Sequence, residues 1–128
     1  MPFSELQGLT VLLVEPEAEA RSFYSQQLTN IDMRVVPIDS ITIMHTEAAN
    51  IGPDVVIVNP STDLSASVRL LKAFKQQFPT LPVITMAMTI PDEVLDAIME
   101  SGVSLHINRG LTRPRDLLLA LEQVIAYK

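Results

Sequence analysis

The run Asp54-Val55-Val56-Ile57-Val58-Asn59 constrains the fold of this chain more than any other stretch. Four consecutive β-branched residues, entered through Asp and left through Pro60-Ser61-Thr62-Asp63, make a strand that is apolar on both faces. Such a strand needs helices over each face, as a central strand of a parallel sheet has. In open α/β sheets, functional groups sit just beyond the carboxyl ends of the strands. Here that position is Asn59, an uncharged amide.

The rest of the chain alternates strand and helix around this run. Leu9 to Val14 reads as a second buried strand, stopped by Glu15-Pro16, and Ala18, Phe23, Tyr24 and Leu28 follow at roughly helical spacing. Met33 to Pro37 mixes apolar and charged residues and ends in Pro, which suits a strand near the sheet edge. Ser40 caps a short helix through about Asn50. Leu64, Val68, Leu71, Phe74 and Phe78 form one helical stripe, with Arg69, Lys72 and Lys75 expected to turn outward. Leu81 to Met86 gives the fourth strand, and Pro91 and Gly102 bracket the next helix. Val103 to Ile107 gives the fifth strand. Thr112 is the expected N-cap of a last helix buried through Leu117, Leu118, Leu121, Val124 and Ile125.

Five βα units predict one α/β domain over residues 1–128, a doubly wound five-stranded parallel sheet in the flavodoxin-like order 2-1-3-4-5. That order sets Glu15 beside Asn59 at the topological switch point. A chain of 128 residues, 48% hydrophobic, buries roughly 68–70% of its unfolded surface and needs no staple. It has no Cys, which suits a reducing, cytoplasmic setting. Its apolar runs are too short to span a bilayer, and Met1-Pro2-Phe3-Ser4-Glu5 has no basic lead into a signal core, so no membrane role is expected. The net charge of -6 argues against direct nucleic-acid binding.

With these elements in place, the chain resembles the receiver domain of bacterial two-component response regulators, a CheY-like fold. The resemblance runs from Val11 to Ala126: VLLVEPEAEAR is similar to the opening strand, PDVVIVNPSTDLSASVRLLKAFK to the phosphoacceptor strand and third helix, LPVITMA to the fourth strand, and SGVSLHINRG to the fifth. The chemical positions depart from the pattern. The acidic pair that helps a receiver hold Mg2+ is Glu15-Pro16, and the phosphoacceptor Asp is Asn59, whose amide forms no acyl phosphate. The hydroxyl position matches Ala87, with Thr85 and Thr89 nearby. The phosphate-pairing Lys matches Arg109, and the Pro after it matches Gly110, so that loop is expected to be reshaped. Glu15, Glu17 and Asn59 offer Mg2+ three oxygens, but Mg2+ sites lean on carboxylates plus phosphate, so neither metal nor cofactor is expected. For Arg109 two readings stay open: pairing with Glu15 as a structural replacement for the metal, or a solvated charge.

The resemblance therefore implies a degenerate pseudo-receiver: not an enzyme, without catalytic residues, and acting in a phosphorelay pathway by binding another protein or its own output domain. A homodimer is a further possibility. One alternative is a residually phosphorylatable receiver with atypical chemistry. Another is a flavodoxin-like enzyme or nucleotide binder, disfavoured because Glu15-Pro16-Glu17 stands where a Gly-rich phosphate loop would be. His106 matches the aromatic that swings inward on receiver activation, and its ring titrates near neutral pH. His45 has no partners at ligand spacing, and of the six scattered Met residues, Met86, Met88 and Met99 read as core filler around the fourth strand. The interaction face is expected on the fourth helix, fifth strand and fifth helix, with Asp92, Glu93, Asp96 and Glu100 on one side, Arg113 and Arg115 on the other, and His106 between.

Overall fold

Five parallel strands alternate with five α-helices in a computed structural model that describes residues 3–60, 63–111 and 113–126. The elements are β1 (Thr10–Val14), α1 (Ala18–Thr29), β2 (Arg34–Ile38), α2 (Met44–Ile51), β3 (Val55–Val58), α3 (Leu64–Gln77), β4 (Val83–Ala87), α4 (Asp92–Glu100), β5 (Leu105–Asn108) and α5 (Pro114–Ala126). The sheet order is β2-β1-β3-β4-β5, as the alternation predicts. No helix among the described residues is long and apolar enough to cross a membrane.

The alternation of β3 side chains builds the two layers. Val55 and Ile57 join Val11, Leu13, Ile84 and Met86 beneath α1 and α5, where Leu28, Leu117 and Leu121 close the layer. Val56 and Val58 join Leu12, Val14 and Val83 beneath α2, α3 and α4, against Met44, Leu71, Phe74 and Ile98. A strand buried on both sides has no polar face, hence its sequence of four β-branched residues. β2 pairs only with β1 and carries Pro37, consistent with its place at the edge.

Several expected boundaries move. The fifth strand begins at Leu105 and ends at Asn108, which leaves Val103 and Ser104 in the preceding turn. Ser40 caps a 3-10 turn, Ile41–Ile43, by accepting the Thr42 N–H, and α2 follows it. Phe23 is exposed, so the α1 stripe is anchored by Leu28 instead. Met88, past the end of β4, and Met99 in α4 are exposed as well, so of the three Met residues expected around β4 only Met86 fills the core. Lys75 does not turn outward: its Nζ donates to the carbonyls of Leu81 (2.6 Å) and Pro79 (3.3 Å), clasping the end of α3 to the entry of β4. Its position on the helix is the expected one, but carbonyls freed by the Pro79 turn offered the ammonium better partners than water. Thr112 lies outside the described residues; α5 opens with Pro114, and the Asp116 carboxylate accepts the backbone N–H of Arg113 at 3.0 Å.

Phe74 is the largest fully buried side chain of the α2/α3 layer, edge-on to His45 at 5.2 Å and tilted against Phe78 at 4.8 Å. Phe74→Ala is expected to cost about 3–5 kcal/mol in urea unfolding, whereas Leu119→Ala on the exposed side of α5 should stay within about 0.5 kcal/mol.

Candidate functional site

The register of three strand ends builds the site. Val14 pairs with Val58 across β1 and β3, so Glu15 and Asn59 leave the sheet side by side, and the Asn59 N–H donates to the Val14 carbonyl at 2.8 Å. Ala87 ends β4 opposite Asn108, which sends Arg109 over the same rim from β5. Glu15, Asn59 and Arg109 thus meet at the carboxyl edge of the sheet.

Glu15 is only 1% exposed, and every acceptor position of its carboxylate is occupied. Oε1 accepts from the Arg109 guanidinium and from Asn59 Nδ2 at 3.2 Å. Oε2 accepts from Asn59 Nδ2 at 3.1 Å and from the Glu17 backbone N–H at 3.0 Å. The Asn59 side chain thus presents its amide nitrogen, not its oxygen, to the carboxylate. Pro16 is exposed and contributes only its carbonyl, which with the Glu15 carbonyl accepts from Arg21 at 3.3 Å and 2.9 Å.

A Mg2+ site asks for several hard oxygens open to the ion. Here the one buried carboxylate is saturated and its neighbour is Pro16, while the nearby amide turns a donor inward; the residues do not fit the metal that the receiver fold implies. Ala87 is fully buried and brings no hydroxyl to the rim. Thr85 lies two residues deeper in β4, where its hydroxyl and His106 Nδ1 share a 2.7 Å hydrogen bond, and Thr89 is exposed. A cavity of about 400 Å3 opens beside Asn59, lined by residues that include Asp39 and Asp63 but no Lys or Arg. Among the described lining residues there is no cation to pair with a phosphate on that side of the rim.

Arg109 is held twice. Its guanidinium pairs with Glu15 and stacks 4.9 Å over the Tyr24 ring, while its Nε is buried without a hydrogen-bond partner. The next residues form a 3-10 turn, Arg109–Leu111, pinned by Asn108 Oδ1 accepting the Gly110 N–H at 2.9 Å. Tyr24 and Arg21 were absent from the site as read from sequence. Its spacing places Tyr24 on the α1 stripe, and only the path of Arg109 across the rim brings it in.

The remaining expected residues do not join the pocket. His106 faces Thr85 on the neighbouring strand. Asp92, Asp96 and Glu100 lie four residues apart on α4, all exposed, as is Glu93. Arg113 is 83% exposed but pairs with Asp116 in the first turn of α5. Its backbone N–H, the main cause, and its side chain hold the Asp116 carboxyl below the usual range. Arg115 stacks 5.4 Å over Phe3, so part of the basic half of the expected face is engaged within the chain.

No protein-family model matches the chain, and no curated protein matches it in sequence. Solved structures share its fold. A CheY-like response regulator receiver domain protein from Methanospirillum hungatei JF-1 aligns with TM-score 0.84 at 15% identity, over 94% of this chain and 96% of that one. A response regulator from Thermotoga maritima gives 0.82 at 17% identity, over 93% and 98%. The BeF3-activated N-terminal receiver domain of Klebsiella pneumoniae RstA gives 0.80 at 23% identity, over 91% and 97%. The likeness is one of fold: the chain is a five-stranded CheY-like, flavodoxin-like α/β domain.

Burial lowers the His106 pKa from its ordinary value. The folded chain then takes up this proton less readily than the unfolded chain, so acidification through and below about pH 6.5 favours unfolding. Urea midpoints at about pH 5 and pH 7.5 are expected to differ more in the wild type than in His106→Gln. An equal difference in both proteins would assign the slope elsewhere.

Proposed function

We propose that the chain is a pseudo-receiver: a receiver-fold module of two-component signalling that works without phosphorylation, in the cytoplasm, by binding protein. The observation that carries this reading is the saturated Glu15 carboxylate. The chemistry of a receiver needs a nucleophilic carboxylate at position 59 and a divalent cation beside it. In this chain position 59 is an amide hydrogen-bonded to the only buried carboxylate of the rim, and that carboxylate already has an Arg countercharge. Ala87 and Gly110 replace two further elements of the family pattern. The losses reinforce one another, since restoring any one leaves the others missing.

Protein contact is assigned to α4, β5 and α5. Asp92, Asp96 and Glu100 make an acidic stripe there, and Met99 and Leu119 add exposed apolar surface. The occupant is another protein, an output domain on the same polypeptide, or a second copy of the chain. Rim charges of this kind tune association rate and specificity more than affinity.

Incubation with acetyl phosphate and Mg2+ should leave the intact mass unchanged; an adduct mapped to this pocket would defeat the reading. Asn59→Asp alone should also remain unmodified, because it places a second carboxylate within hydrogen-bonding distance of Glu15 without supplying the hydroxyl or the metal site. For the interface, self-association followed by light scattering at low salt should respond to Asp96→Lys and not to Arg69→Glu on α3. For an output domain or other partner, titration should show the same contrast, and equal responses to both variants would move the surface elsewhere.

A further inference from the structure

We infer that Arg109 is the resident cation of this pocket, a built-in counterion for Glu15 that makes the domain indifferent to divalent metal and ties the β5–α5 connection to α1. This goes beyond the loss of phosphorylation, because a site can lose its phosphoacceptor and still take up metal.

The charge balance at the rim points to Arg109 alone. Glu15 is withdrawn from water, and a buried carboxylate requires either a countercharge or a proton. Arg21 is the other cation at this corner, but its guanidinium donates to the backbone carbonyls of Glu15 and Pro16. Arg109 reaches the carboxylate itself, and the Tyr24 ring supports its opposite side. An incoming divalent ion would have to displace a guanidinium held from two directions. It would gain one carboxylate in return, and Mg2+ sheds its water reluctantly.

The same contact has a mechanical side. Arg109 follows β5 directly and its partner Glu15 follows β1, with β4 and β3 between them in the sheet order, while Tyr24 lies in α1. One side chain therefore bridges the rim from its β5 end to its β1 end. The β5–α5 connection is held in one position, three residues from His106.

The test compares wild type, Arg109→Met, Glu15→Gln and the double variant, with and without Mg2+ or Mn2+. Readouts are the thermal midpoint and paramagnetic broadening by Mn2+ of the amide signals of Glu17 and Asn59. The wild type should show neither a midpoint shift nor local broadening. Arg109→Met should lose thermal stability, regain part of it with Mg2+, and show broadening confined to this rim; adding Glu15→Gln should abolish both metal effects. Should Arg109→Met fail to fold in chelator, folding restored by Mg2+ or by the added Glu15→Gln supports the inference. Failure in both conditions, a folded Arg109→Met that ignores metal, or local Mn2+ broadening in the wild type would overturn it. Metal-independent acetyl phosphate labelling of the wild type would defeat the pseudo-receiver reading and leave this result intact, so the two stand or fall separately.

Discussion

A carboxylate taken almost wholly out of water must be given donors and a countercharge, and in this chain that demand organises the functional edge of the fold. Glu15 draws an amide from the end of β3, a guanidinium from the end of β5 and a backbone N–H from its own turn. Breaking one partner of such a buried pair typically costs about 3–5 kcal/mol, much more than an exposed ion pair contributes. The two ion pairs of the described chain illustrate the difference. Arg113 and Asp116 pair at the surface where α5 begins, whereas Arg109 and Glu15 join residues 94 positions apart.

The sheet exists to deliver those groups to one place. β1 and β3 are adjacent because both are apolar on two faces and must take the most covered positions of the sheet. Their adjacency then places the first polar residue after each strand next to the other. The chemistry of those residues decides what the edge can do. With a Pro and an amide beside Glu15, the edge pairs its buried charge within the chain.

Much of this was legible in the sequence. The run Val55 to Val58 and the stripe from Leu64 to Phe78 carried periodicity strong enough to fix strand order and layering, and the meeting of Glu15 with Asn59 follows from order alone. The orientation of most long cationic side chains was not legible. The pairing of Arg109 with Glu15 was one of two readings, but Lys75, Arg113 and Arg115 each have several rotatable bonds, and their partners lie on other elements or in turns. Spacing along a helix says which way a Lys leaves the backbone, but the free carbonyls of Pro79 and Leu81 decided where its ammonium went. The start of the fifth strand was equally hidden, since Val103 and Ser104 are as compatible with a turn as with a ladder.

Pro37 has a consequence for how the molecule behaves in a crowded solution. The Arg34 N–H donates to Leu9, and the Ile38 carbonyl accepts from Glu15, so both residues of β2 face β1. Alternate residues of a strand point their backbone groups to opposite sides, which turns Val35 and Pro37 toward the open edge. Pro has no N–H, so Val35 is left as the one strand donor along that margin. A growing fibril or a misdocked neighbour would find almost no donors to pair with there, and the β2 edge of the sheet is blunted against edgewise accretion by a single ring closure.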